Sequence, residues 1–279
     1  KTFFKVKMKK ILLLSIISTL IFTSCTSPNP PKLVVILVSD QADPNILDKY
    51  DHLFTGGFRW LIDNGIIYND AHLNHGNTIT AAGHFSLSTG VHPGKEGLID
   101  NEWYDRELKR SYYAVEDTSV SNLSGREIIG RSYRHIKNSS LADWMKNSNP
   151  NTKIVSLSGK DRAAVLFGGT DPDLMLWYDK KGAYSMSTYY ADSLPSWVQD
   201  FNLRLNVKSY MDSTWNLVRS PEVYAQNTRI DNFKGEKIVS KKKGATPTLP
   251  LLFSISAFAE LKVWHLALVL GIFGGLGGS

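Results

Sequence analysis

Leu33-Val34-Val35-Ile36-Leu37-Val38 runs directly into Ser39-Asp40-Gln41. Six aliphatic residues in a row, mostly β-branched, predict a strand buried on both faces, as in a parallel sheet covered by helices. The carboxylate of Asp40 then falls at the C-terminal end of that strand, where open α/β sheets place their ligands. An Asp at this point could equally cap the following turn.

Downstream the pattern alternates. Phe58-Arg59-Trp60-Leu61-Ile62-Asp63-Asn64-Gly65 has apolar residues at helical spacing and a glycine stop, and Ile66-Ile67-Tyr68 reads as the start of another strand. Residues 139–146 read as a capped amphipathic helix, followed by the strand Lys153-Ile154-Val155-Ser156-Leu157 and then by Ser158-Gly159-Lys160-Asp161-Arg162. Helix and strand in alternation predict an α/β fold, a mainly parallel sheet with helices on both faces. Residues 184–197 are aromatic and rich in turn formers. Tyr189, Tyr190 and Trp197 are expected to pack.

A second stretch bears on chemistry: Asn77-Thr78-Ile79-Thr80-Ala81-Ala82-Gly83-His84-Phe85-Ser86-Leu87-Ser88-Thr89-Gly90. It reads as a loop feeding a short helix, with Thr80 near the N-cap and Gly90 as the stop. A hydroxyl at that position sits beside free backbone N–H groups and the positive end of the helix dipole, which favour an anion such as phosphate. Thr is also an ordinary N-cap residue, so the position alone does not decide between the two roles.

Upstream of the first strand, Met8-Lys9-Lys10 precedes a short apolar run from Ile11 to Phe22 and then Thr23-Ser24-Cys25. A basic start and an apolar stretch too short to span a bilayer comfortably describe a secretory signal over residues 1–25. Residues 1–7 fall ahead of the plausible start Met8. Cys25, the only cysteine, follows small residues at the end of the run. That resembles the lipobox of bacterial lipoproteins, which implies a lipidated Cys25 as membrane anchor and a periplasmic or outer-membrane location. With no second cysteine there is no disulfide within the chain. Pro-rich residues 26–32 read as a tether.

The chain has 279 residues, 42% of them hydrophobic, and a formal net charge of +6, so most of it can bury a core. Its lysines gather partly at the ends, and no interleaved aromatic stripe points to nucleic acid. Residues 248–279 are a different text. They are apolar, interrupted by Glu260, Lys262 and His265, and end in a glycine run, which makes a poor membrane span.

At Ser39-Asp40-Gln41, Thr78-Ile79-Thr80-Ala81-Ala82-Gly83-His84, Asn101-Glu102-Trp103-Tyr104 and Lys160-Asp161-Arg162 the sequence resembles the alkaline phosphatase superfamily. Within it, the chain is most similar to the bacterial periplasmic enzymes with a threonine nucleophile, in the type I phosphodiesterase/nucleotide pyrophosphatase group. Each motif is weak alone, and the four together occur in the family's order. The resemblance implies that residues 33–247 are the N-terminal part of such a domain, incomplete at its C-terminus. It implies two zinc ions, with Asp40 a ligand to one and Thr80 a nucleophile bridging both. Asn101 would donate to a phosphoryl oxygen, and Lys160 and Arg162 would meet the charge on the ester. The implied reaction is hydrolysis of small phosphate monoesters through a phospho-threonine, since a Lys-x-Arg pair resembles the monoesterases more than the diesterases.

The family completes its metal sites with a later Asp-x-x-x-His pair, an Asp-His pair and a final His, and none of these appears. Ala259 stands where the first of those Asp residues is expected, after Phe253-Ser254-Ile255-Ser256-Ala257-Phe258. A frameshift near residue 259 would account for the foreign tail. His84, four residues after Thr80, is expected to be structural, and His72, His75 and His92 carry no assignment. Two rival readings remain: a phosphodiesterase or nucleotide pyrophosphatase, and a non-catalytic surface lipoprotein that binds an anion at the Thr80 helix.

Overall fold

The predicted first strand is present as β1 (Leu33–Ser39), which leads into α1 (Pro44–Tyr50) in a computed structural model of the chain. The structure describes residues 31–40, 42–125, 128–179, 182–205, 214–215, 217–229, 251–252 and 266–272. The chain divides into two units, Lys1–Lys32 and Leu33–Ser279, and the second is described here. The signal segment, Cys25, Ala259 and His265 lie outside the described residues, as does most of the tether. No helix among the described residues is long and apolar enough to cross a membrane.

After a 3₁₀ turn at Asp51–Leu53 comes α2 (Gly57–Asn64). It ends at Gly65 as expected, with Arg59 bridging Asp51 and Asp63 at 2.9 Å each. Next are α3 (Thr80–Thr89), α4 (Pro93–Glu96), a hairpin of β2 (Glu102–Asp105) and β3 (Arg110–Tyr113), and a ribbon of β4 (Glu116–Asp117) and β5 (Gly130–Arg131). Then follow α5 (Leu141–Ser148), β6 (Lys153–Ser158), α6 (Asp161–Gly168), β7 (Leu174–Asp179), β8 (Ala183–Ser185) and α7 (Ser196–Arg204). β9 (Thr214–Trp215), α8 (Pro221–Asn227), β10 (Leu251–Leu252) and β11 (Leu266–Ile272) complete the described elements.

The main sheet has the order β1-β11-β6-β7-β8. β11 is antiparallel to both β1 and β6, and β6 pairs parallel with β7. β1, β6 and β7 therefore run in one direction, as an α/β fold requires. Among the described residues, however, direct parallel pairing occurs only at β6–β7, and β8 closes that edge antiparallel. Leu266–Ile272, within the tail that reads as foreign, supplies the strand between β1 and β6.

α5 is anchored by a capping box in which Ser140 and Asp143 satisfy each other's backbone N–H groups. α6 packs on β6, β7 and β11, and α3 packs on α6. Ala163 is fully buried, as are Ala164, Val165 and Leu166, which share a core with Phe85, Met175 and Trp177. Gly168 has to be glycine, because a Cβ there would collide with Met175 and Ser156.

Two expectations are corrected. β1 is not buried on both faces: Leu33, Val35 and Leu37 are 52%, 46% and 54% exposed. β1 is an edge strand, and an apolar run specifies that a face can be buried without supplying the layer that buries it. Ile66-Ile67-Tyr68 form no strand and are largely exposed, with no partner strand among the described residues.

Candidate active site

Asp40 follows the last residue of β1, and its carboxylate Oδ2 accepts a hydrogen bond from Thr80 Oγ1 at 3.0 Å. Thr80 is the first residue of α3, next to the N-cap Ile79. Gly90 ends the helix in the left-handed region, φ 68°, where a side chain would be strained. A strand end and a helix start, 40 residues apart in the chain, are thus joined by one hydroxyl–carboxylate contact.

Asn101 enters through the neighbouring amide. The Ala81 N–H donates to Asn101 Oδ1 at 2.9 Å, while the Asn101 carbonyl accepts from Ala114 N–H at 3.1 Å. The Asn101 N–H in turn donates to Asp100 at 2.6 Å. With its Oδ1 occupied, the Asn101 side chain presents its NH2 group as a donor. One helix N–H that could have met an anion is instead spent orienting this amide.

His84 lies one turn into α3 and is buried. Its Nδ1 donates to the Thr80 carbonyl at 2.8 Å, which leaves Nε2 without a partner. The ring meets Phe167 of α6 edge-on at 5.5 Å. Burial lowers the imidazole pKa, and Arg162 works in the same direction, against the Thr80 bond and Asp40. His84 is therefore a neutral packing residue that fixes α3 on α6, as its position in the sequence suggests.

Lys160 is the N-cap of α6, and Arg162 lies in its first turn. Lys160-Asp161-Arg162 is the start of a buried helix. Arg162 is only 9% exposed, its guanidinium lies 4.7 Å from the Tyr113 ring centroid, and its Nε has no hydrogen-bond partner. No ion pair involving Arg162 occurs among the described residues. Lys160 donates its backbone N–H to Ser158 Oγ at 3.2 Å. Asp40 and Thr80 share a hydrogen bond and Asn101 holds the Ala81 amide next to Thr80, whereas Arg162 is brought toward them by the packing of α6 on α3. Lys160 is placed by the same helix.

Sequence reasoning missed Tyr113 and Arg131. The Tyr113 hydroxyl donates to Asp161 Oδ1 at 2.6 Å, and Arg131 Nε donates to Asp161 Oδ2 at 2.7 Å. The only signal available was the carboxylate inside Lys160-Asp161-Arg162, which calls for partners without naming them. Burial first, and then Asp161, keep the Tyr113 phenol far above its ordinary pKa, so it remains a donor.

A metal ion could use the Asp40 carboxylate and the Thr80 oxygen. Among the described residues, however, no group of three or more His, Cys, Asp or Glu could hold one. A catalytic zinc takes about three protein ligands. The two oxygens therefore fit part of a metal site, and the described residues do not complete it.

This α/β frame, with a hydroxyl-bearing helix start set against the carboxyl end of a strand, defines the class of architecture. Residues 34–249 match the model of the type I phosphodiesterase / nucleotide pyrophosphatase family. The chain belongs to that family. It is similar to alkaline phosphatase PafA of Elizabethkingia meningoseptica, 34% identical over 225 residues that make up 79% of this chain and 41% of PafA. It is also similar to alkaline phosphatase PhoV of Synechococcus elongatus, 36% identical over 75% of this chain and 40% of PhoV. A crystal structure of a PafA variant, with a Thr changed to Ser and an Asn, a Lys and an Arg changed to Ala, superposes with a TM-score of 0.71. That match is 31% identical and covers 77% of this chain and 42% of the variant. The chain spans about two-fifths of the length of these relatives.

Proposed function

We propose that the chain is the N-terminal part of an exported, metal-dependent phosphate monoester hydrolase that works through a phosphorylated Thr80. The observation that carries this reading is the Thr80 hydroxyl on the Asp40 carboxylate, with the oriented Asn101 amide beside it and Arg162 buried without a counter-ion among the described residues. The altered PafA residues are a Thr, an Asn and a Lys-x-Arg pair, the residue types and order of Thr80, Asn101, Lys160 and Arg162, which supports the same roles here.

A metal ion at Asp40 and Thr80, completed by ligands from outside the described residues, would lower the hydroxyl pKa; the family resemblance implies two zinc ions. Thr80 Oγ1 attacks phosphorus, the P–O bond to the alcohol breaks, and the alcohol leaves with a proton. Water then cleaves the phospho-threonine to free phosphate. Asn101 donates to a phosphoryl oxygen, and Lys160 and Arg162 stabilise the charge. Because the transferring group is loosely bonded at the transition state, positioning and charge account for most of the catalysis.

The test is a substrate split in a version carrying the complete ligand set. Lys160→Ala with Arg162→Ala should lower monoester hydrolysis on the order of 10²-fold or more and diester hydrolysis less, because a monoester carries the additional charge. Equal losses would favour a phosphodiesterase or nucleotide pyrophosphatase.

The same reading places the protein on a bacterial membrane through lipid on Cys25. Cys25→Ala should move it from the membrane fraction to the soluble one, because the acyl chains supply the anchoring area. A variant that stays fully membrane-bound would rule out the lipid anchor.

A further inference from the structure

Asp161 lies between two cations in sequence, Lys160 and Arg162, and the simplest local arrangement would pair it with one of them. The structure does otherwise. Asp161 Oδ1 accepts from the Tyr113 hydroxyl at 2.6 Å and from the Arg162 backbone N–H at 2.8 Å, while Oδ2 accepts from Arg131 Nε at 2.7 Å. The carboxylate is thus occupied on both oxygens, and its charge is met by Arg131. That ion pair is largely buried, with side-chain exposures of 14% and 17%.

Arg131 is itself held in place. Its Nη1 donates to the Ile129 carbonyl at 2.7 Å and to the Gly130 carbonyl at 3.2 Å, and its guanidinium lies 4.2 Å from the Tyr113 ring centroid. Arg162 lies over the same ring at 4.7 Å, more than nine-tenths buried, with a bare Nε. A buried guanidinium with an unmet donor carries a desolvation cost that an incoming anion would relieve. If the Asp161 carboxylate were free to turn, it would relieve that cost first and compete with the anion.

We propose that Arg131 is a positioning residue for the anion site: together with Tyr113 it engages the Asp161 carboxylate, so that Arg162 keeps its charge available for a phosphoryl group. The inference rests on the reading of Arg162 as an anion-binding residue and goes beyond it by giving Arg131, Tyr113 and Asp161 a role. Tyr113 serves as a platform for both guanidinium groups as well as a donor to the carboxylate. Charge on the Tyr113–Asp161–Arg131 side is balanced, and the surplus resides on Arg162.

The experiment is calorimetric titration of the 279-residue chain with inorganic phosphate, alongside Arg162→Ala, Arg131→Met, Asp161→Asn and the double variant Arg131→Met with Asp161→Asn. Arg131→Met should weaken phosphate binding by about tenfold or more, since it releases Asp161 to pair with Arg162. The double variant should recover most of that loss, because a neutral amide cannot neutralise Arg162. A purely structural Arg131 predicts the opposite, a double variant no better than the single one, and that result would overturn the proposal. So would an Arg131→Met variant with wild-type affinity. If Arg131→Met does not fold, Asp161→Asn reads alone: affinity at or above wild type supports the proposal, and a loss overturns it. No phosphate binding by the wild type, or binding indifferent to Arg162→Ala, would instead overturn the anion-site reading itself and the proposal with it.

Discussion

Assayed as the 279-residue chain with added zinc, the protein should hydrolyse an activated aryl phosphate no faster than its Thr80→Ala variant. Thr80 and Asp40 are in contact, and Asn101 is oriented, so the failure would not lie in these groups. It would lie in the metal. The two oxygen donors found among the described residues are fewer than the roughly three protein ligands of a catalytic zinc, and a threonine hydroxyl without a metal stays protonated at neutral pH. A version extended to the full length of the relatives should show the converse, with Thr80→Ala lowering turnover by about 10⁴-fold or more, since the proposed nucleophile is removed. Zinc-dependent turnover by the 279-residue chain that disappears in Thr80→Ala would show that the ligand set is complete after all.

The second large effect concerns stability. Asp117 is 1% exposed and accepts from Ser119 N–H at 2.9 Å, Ser119 Oγ at 2.5 Å, Ser132 Oγ at 2.6 Å and Arg134 Nε at 2.9 Å. Burial alone would raise its pKa, but the donors outweigh that and hold the carboxyl well below its ordinary 3.8. Asp117→Ala leaves those donors facing a void, so it should cost about 3–5 kcal/mol. A drop in melting temperature on the order of 10 °C would report that cost. The sign of the pH dependence follows from the depressed pKa. As the pH falls, the unfolded chain takes up this proton first, so the stabilisation is complete above the ordinary value and is lost on acidification through the folded one. The gap between wild type and Asp117→Asn should therefore narrow as thermal unfolding is followed from neutral pH to about 3. A gap independent of pH would mean that Asp117 acts by packing alone.

Local signals in the sequence were sufficient where a residue's own backbone and immediate neighbours decide the outcome. Gly90 and Gly65 stop their helices, Ser140 caps α5, and the run at residues 33–38 is a strand. The motifs around Asp40, Thr80, Asn101 and the Lys160–Arg162 pair, taken in order, reached the family that residues 34–249 match. Cover for a strand, by contrast, is a long-range property. Leu33, Val35 and Leu37 look as buried in sequence as Ile154 does, yet only Ile154 lies beneath another layer.

The site divides in the same way. Residue types and their order along the chain were enough to single out Thr80 and Asp40 as candidates, and the 3.0 Å contact between them exists only because β1 and α3 meet in the fold. Lys160-Asp161-Arg162 could be read as an ordinary solvated turn, because nothing local distinguishes an exposed arginine from a buried one. The tertiary structure decided that Arg162 is buried on Tyr113 and that Asp161 turns to Arg131, 30 residues away, since each charge pairs with the partner that packing brings within reach.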